Sequence, residues 1–247
     1  MLSNEYESLS LATRDVHYRD QYTALTGVLH WNGALPGRKP GVLLVHGGAG
    51  LDEHARDQAR RYAELGYAVF ACDMYGDGVA GNRERIMAHL TTFRDNPAFL
   101  VRRAEAGLKA LSEQPEVRAG NVAAIGFCFG GMAALALARS GANLSGVVSI
   151  HGGLTTSAPA EPGSVKAKVL VCHGAADPHV PMTDIAAFTE EMNHAGADWK
   201  LISYGRALHG FTHRHGTPGT VPGVAYDPIA DKCAFTDTRA FLAEVVE

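Results

Sequence analysis

The chain has 247 residues, 46% of them hydrophobic, and 22 Lys and Arg against 26 Asp and Glu give a formal charge of -4. This is enough chain for one sizeable core, and with no block of like charge it argues against nucleic acid or an anionic membrane surface as the main partner. No apolar run is long enough to cross a bilayer, and the start MLSNEYESLSLATRD lacks both a basic and an apolar region, so no signal peptide is expected. The four cysteines, Cys72, Cys128, Cys172 and Cys233, are scattered and form no CxxC pair. Free thiols in a reducing cytoplasm are expected rather than disulfides.

In chain order, YTALTGVLHW at 22–31 alternates loosely and predicts an early strand. GVLLV at 41–45 is a continuous apolar run closed by His46-Gly47-Gly48, as expected of a strand buried on both faces. Residues 54–65 predict a helix that stops at Gly66, and YAVFAC at 67–72 a second buried strand ending at Asp73. A glycine-rich stretch at 76–81 precedes two predicted helices, 83–93 and 97–112, split near Asn96-Pro97. VAAIGF at 122–127 predicts a strand, and the alanine-rich 131–138 a closely packed helix. Strands at 146–150, 169–172 and 199–204 follow, with helices at 181–194 and 229–246. This alternation implies βαβ units and a mainly parallel sheet with helices on both faces. No repeat or linker divides the chain, so a single α/β domain over residues 1–247 is expected. Two long loops, 75–83 and 212–228, are placed to shape a pocket.

GFCFGG at 126–131 stands between a predicted strand and a predicted helix. That context makes G-x-C-x-G a nucleophile elbow of the α/β-hydrolase type, with Cys128 where serine is usual. The following helix N-terminus favours the thiolate. The later partners belong in the order acid, then histidine, at the ends of subsequent strands. Asp177 follows VLVCHG in a turn-forming GAADP context, and His209 follows WKLISYG, so both stand in the required order at strand ends. Backbone N–H groups for an oxyanion are expected from Phe129 and from the glycine-rich loop His46-Gly47-Gly48-Ala49-Gly50, with Gly48 or a neighbour as donor. Tyr75, Phe127, Phe129, Phe211 and Tyr226 are candidates for an apolar pocket wall, against a core role for most of them. His46, His151 and His173 follow strands and either line the cleft or are satisfied there. His209, His213 and His215 form HxxxHxH, but the segment has no helical pattern and His209 already has a role, so no metal is expected and no cofactor is called for.

The chain resembles the dienelactone hydrolase family (carboxymethylenebutenolidase-like proteins). The resemblance runs from about GVLLVHG to the C-terminal helix, and is carried by GFCFGG at 126–131, CDMYGDG at 72–78, HGAADP at 173–178 and LHGF at 208–211. It implies one α/β-hydrolase domain without a large cap and a Cys-Asp-His triad at Cys128, Asp177 and His209. Two departures bear on substrate. The family's usual glutamate after the first core strand is replaced by His46-Gly47-Gly48. Where dienelactone hydrolases hold a substrate carboxylate with arginines, this chain has Gly76-Asp77 in one place and His213-Arg214 in the other. Arg214 is a partial substitute, while Asp77 would repel an anion. A small uncharged substrate is therefore expected: a neutral ester, lactone or aryl ester, with organophosphate triesters implied by relatives that cleave them. Dienelactone hydrolysis proper, acyl transfer, and non-catalytic ligand binding or redox sensing are the alternatives. A monomer or homodimer is expected.

Overall fold

The computed structural model describes residues 10–76, 78–214 and 220–246. Eight strands form one sheet: β1 (Leu11–Asp20), β2 (Thr23–Asn32), β3 (Lys39–Val45), β4 (Ala68–Cys72), β5 (Val117–Phe127), β6 (Gly146–Ile150), β7 (Lys168–Gly174) and β8 (Trp199–Tyr204). Their order across the sheet is β1-β2-β4-β3-β5-β6-β7-β8. The β1–β2 and β2–β4 pairs are antiparallel, and every pair from β4 to β8 is parallel. The connections are made by α1 (Glu53–Ala63), α2 (Arg83–Asp95), α3 (Pro97–Ser112), α4 (Phe129–Arg139), α5 (Met182–Ala195) and the closing α6 (Pro228–Val246).

The apolar runs read from the sequence are the central strands, and they are buried on both sides. In β3, Leu43 and Val45 enter one core with residues of α2 to α5, while Val42 and Leu44 enter the other with residues of α1 and α6. The break between α2 and α3 has a local cause. Asn96 closes one helix with its backbone N–H and opens the next by accepting from the Phe99 N–H at 3.0 Å, and Pro97 occupies the first turn, where its missing N–H costs nothing.

Three differences from the sequence expectation bear on the site or its support. β1 is not foreshadowed: LATRDVHYRD buries only Val16 and Asp20, so it shows no apolar alternation. β5 begins five residues before VAAIGF, and α4 begins at Phe129, directly against the elbow. No helix among the described residues is long and apolar enough to cross a membrane.

An ion pair ties the unforeseen β1 to the loop after β4. Asp20 is almost fully buried and accepts from Arg103 Nε at 2.8 Å and from the more exposed Arg102 Nε at 3.0 Å. Arg103 also donates to the Met74 carbonyl at 2.7 Å, and Tyr18 Oη donates to the Asp73 carbonyl at 2.6 Å. Deleting Arg103 leaves a buried carboxylate without its closest cation. Arg103→Ala is expected to cost about 3–5 kcal/mol of unfolding free energy, and Arg102→Ala less than about 1 kcal/mol. Urea denaturation of both variants checks this, and equal losses would contradict the assignment of Arg103 as the supporting partner.

Candidate active site

At Cys128 the backbone takes φ 54° and ψ -115°, a conformation that L residues avoid. The close approach of strand and helix enforces it. A Cβ at Gly126 would lie 1.8 Å from the Gly130 carbonyl oxygen, and one at Gly130 would lie 2.1 Å from that of Val45. The thiol therefore projects above the C-terminal ends of the parallel strands, at the first turn of α4.

Two later loops meet it there. His209 Nε2 lies 3.1 Å from Cys128 Sγ, and His209 Nδ1 lies 2.8 Å from Asp177 Oδ2. Asp177 is held in the turn after β7 by its own N–H to the Gly174 carbonyl and by Oδ1, which accepts from the His179 N–H at 2.8 Å. The loop of His209 is pinned by a short bridge to residues 223–225: the His209 N–H donates to the Gly223 carbonyl, and the Ala225 N–H to the His209 carbonyl.

The electrostatics favour a thiolate–imidazolium pair. Burial works against the thiolate, but the His209 contact and the backbone N–H groups of Phe129 and Gly48 outweigh it and hold Cys128 below the ordinary thiol range. Burial likewise opposes charge on His209, yet Asp177 and Cys128 together push it up to about 10. Asp177 is drawn below its usual value by His209 despite burial. The backbone N–H groups of Phe129 and Gly48, the two expected oxyanion donors, both act to lower the thiol's ionisation.

The candidate wall residues lie deeper than expected. His46 is fully buried, donating from Nδ1 to the Gly47 carbonyl at 2.7 Å and accepting the Met74 N–H at Nε2, 3.1 Å away. Tyr75 is 3% exposed and donates to the Gly48 carbonyl at 2.8 Å, while its ring contacts His46, Phe93 and Phe129. These residues buttress the donor loop from behind. Phe211 is 0% exposed and packs against His151 and Tyr204 in the core, so it does not line a pocket. Arg214 needs the clearest correction. Its guanidinium grips the buried Asp231 at 2.8 Å, alongside Arg61 and Tyr226 Oη, which leaves it committed to a structural pair rather than to a substrate anion. Asp77 and His215 lie outside the described residues. His213 stacks on His54 with ring centroids 3.7 Å apart and lies within ordinary contact distance of Gly47. The sequence reading left His151 undecided and passed over Thr212, yet His151 Nδ1 lies 3.1 Å from the Cys128 backbone nitrogen and its Nε2 lies 2.8 Å from Thr212 Oγ1.

An elbow, a relay in strand order and paired N–H donors on this sheet define an α/β-hydrolase. The model of the dienelactone hydrolase family matches residues 27–246, and the chain belongs to that family, whose members hydrolyse ester and lactone bonds. Among solved structures it is similar to m3DLH, with 39% identity, TM-score 0.90, and 96% of this chain and 99% of that one covered. It is equally similar in fold to a dienelactone hydrolase-like promiscuous phosphotriesterase from metagenomic libraries, with 37% identity, TM-score 0.90, and coverage of 96% and 100%. A curated relative from Bradyrhizobium sp, named "Probable 2-oxo-3-(5-oxofuran-2-ylidene)propanoate lactonase", is 28% identical over 218 residues, 83% of this chain and 84% of its own.

The four thiols separate by environment. Cys72 and Cys172 are buried and their ionisation is pushed up, that of Cys172 to about 12, whereas Cys233 is exposed. Iodoacetamide at pH 7 is expected to label Cys128 first, Cys233 more slowly, and Cys72 and Cys172 only on unfolding. As pH falls from 9 to 7, labelling of an ordinary thiol drops about twentyfold, while that of Cys128 is expected to drop less because His209 and the backbone donors hold its ionisation lower. Peptide mapping over this range checks both points, and a Cys128 profile parallel to that of Cys233 would contradict the ion pair.

Proposed function

We propose that this protein hydrolyses small uncharged esters and lactones through a covalent thioester on Cys128, and that aryl esters and organophosphate triesters are further substrates. The observation that carries the reading is the continuous relay Cys128–His209–Asp177, with 3.1 Å and 2.8 Å contacts, facing two backbone donors. The thiolate attacks the carbonyl carbon while the N–H groups of Phe129 and Gly48 turn from sulfur to the developing oxyanion. Protonated His209 gives its proton to the departing alkoxide, and the thioester forms as the C–O bond breaks. Neutral His209 then takes a proton from water, the hydroxide displaces sulfur, and the acid leaves with the thiolate–imidazolium pair restored. Asp177 holds Nδ1 throughout and keeps Nε2 aimed at the reacting atoms. Attack on a phosphotriester uses the same groups with aryloxide as leaving group.

The preference for uncharged substrates is supported by the commitment of Arg214 to Asp231. The phosphotriester reading is supported by the promiscuous activity printed for the structurally similar metagenomic enzyme.

A panel of p-nitrophenyl acetate, a neutral lactone, dienelactone and a diethyl aryl phosphate separates these claims. The neutral esters are expected to turn over faster than the dienelactone carboxylate. Cys128→Ala and His209→Ala are expected to lose about 10³-fold or more in kcat, and intact-mass spectrometry of a stopped reaction should show the acyl adduct. Wild-type rates in Cys128→Ala would overturn the mechanism. Faster turnover of dienelactone than of every neutral ester would overturn the substrate class.

A further inference from the structure

β6 ends at Ile150, and the next residue, His151, is 1% exposed with φ 41°. A histidine occupies that left-handed region only where its surroundings impose it. Here they impose a bridge. His151 Nδ1 lies 3.1 Å from the backbone nitrogen of Cys128, whose N–H it shares with the Ile150 carbonyl at 3.0 Å. His151 Nε2 lies 2.8 Å from Thr212 Oγ1, and that oxygen lies 3.0 Å from His54 Nε2.

Proton positions along this chain are determined by its first link. A backbone N–H only donates, so Nδ1 of His151 is bare and the ring proton sits on Nε2. That proton goes to Thr212 Oγ1, which also meets His54 Nε2 at 3.0 Å. The ring must also stay neutral. Burial first, and then the positive charge of His209, hold its pKa well below the ordinary histidine value. The titratable groups that face it are His209 and His213, at centroid distances of 5.4 and 5.6 Å, His54 through Thr212, and Cys128 at the elbow; Phe127 and Phe211 cover the rest. An imidazolium here would set donor against donor and charge against charge.

We propose that His151 is a positioning residue, a neutral strut that sets the gap between the elbow of Cys128 and the loop of His209; the proposal rests on the reading of Cys128 as nucleophile. Thr212 stands three residues beyond His209, so the strut spans from one partner's backbone to the other partner's loop. The 3.1 Å separation of sulfur and Nε2 is then fixed by a buried side chain with defined proton positions. Misplacement of reacting groups by a fraction of an ångström is costly in rate, which gives the strut its role in turnover.

The test uses Thr212→Val, which keeps the shape and removes the hydroxyl, Thr212→Ser, which restores it, and His151→Ala, which removes the ring. The readouts are the pH profile of Cys128 alkylation by iodoacetamide, which needs no turnover, and kcat and KM for p-nitrophenyl acetate. In Thr212→Val and His151→Ala the alkylation profile should move to higher pH and kcat should fall roughly tenfold or more, with a smaller change in KM. Thr212→Ser should return both toward wild type. A general loss of stability does not move the alkylation profile. If His151→Ala does not fold, the Thr212 pair decides alone. A Thr212→Val profile and kcat within about twofold of wild type, or equal shifts in Thr212→Val and Thr212→Ser, would overturn the strut. Activity retained in Cys128→Ala would instead overturn the nucleophile, an outcome read independently of the alkylation profile.

Discussion

Between β5 and α4 the backbone passes so near itself that Gly126 and Gly130 have no room for a side chain, and Cys128 is forced into a positive-φ turn between them. The rest of the site follows from that crowding. The turn holds the thiol above the sheet rather than in it, so its partners can come only from loops at the same edge. Strand order then selects which loops: β6 lies beside β5, β7 beside β6 and β8 beside β7. The segments after them deliver His151, Asp177 and His209 in turn. On the other flank β3 neighbours β5, and the loop that follows it delivers the Gly48 N–H.

A second constraint is the cost of burying charge. Several histidines lie near the thiol, and the geometry distinguishes them by protonation. His46 and His151 each accept a backbone N–H at one ring nitrogen, which fixes them as neutral. Among these rings His209 is the one with a carboxylate at one nitrogen and the thiol at the other, and it is pushed upward. Burial holds His46, His151, His173 and His213 toward the neutral form, so they do not compete with His209 for the sulfur. Buried Asp231 likewise gathers Arg61 and Arg214 and keeps those cations occupied.

The sequence made the centre of this molecule legible and its margins much less so. Continuous apolar runs such as GVLLV and YAVFAC have few alternatives to a two-sided buried strand, and Asn96-Pro97 carries its own breaking and capping chemistry. The elbow, Asp177 and His209 are readable because chain order and strand ends constrain them together. β1 was not readable, since an edge strand exposed along most of its length needs no alternation. Arg214 and Phe211 were misplaced for a shared reason: both sit close to His209 in sequence, but a loop's path decides what each side chain faces. Arg214 found a buried carboxylate seventeen residues away, and no local pattern announces such a partner. Thr212 escaped notice because its hydroxyl matters only once His151 and His54 are brought to either side of it.

At the elbow itself, α4 is packed against the strands without spare room, so a side chain at Gly126 or Gly130 collides with main chain and those two positions are closed to change. The side facing α2 is different. α2 buries a single residue, Phe93, which rests on Tyr75 and Phe129, while Leu90 reaches toward Gly48 from the same helix. The exposed positions of that helix can therefore change without touching the elbow.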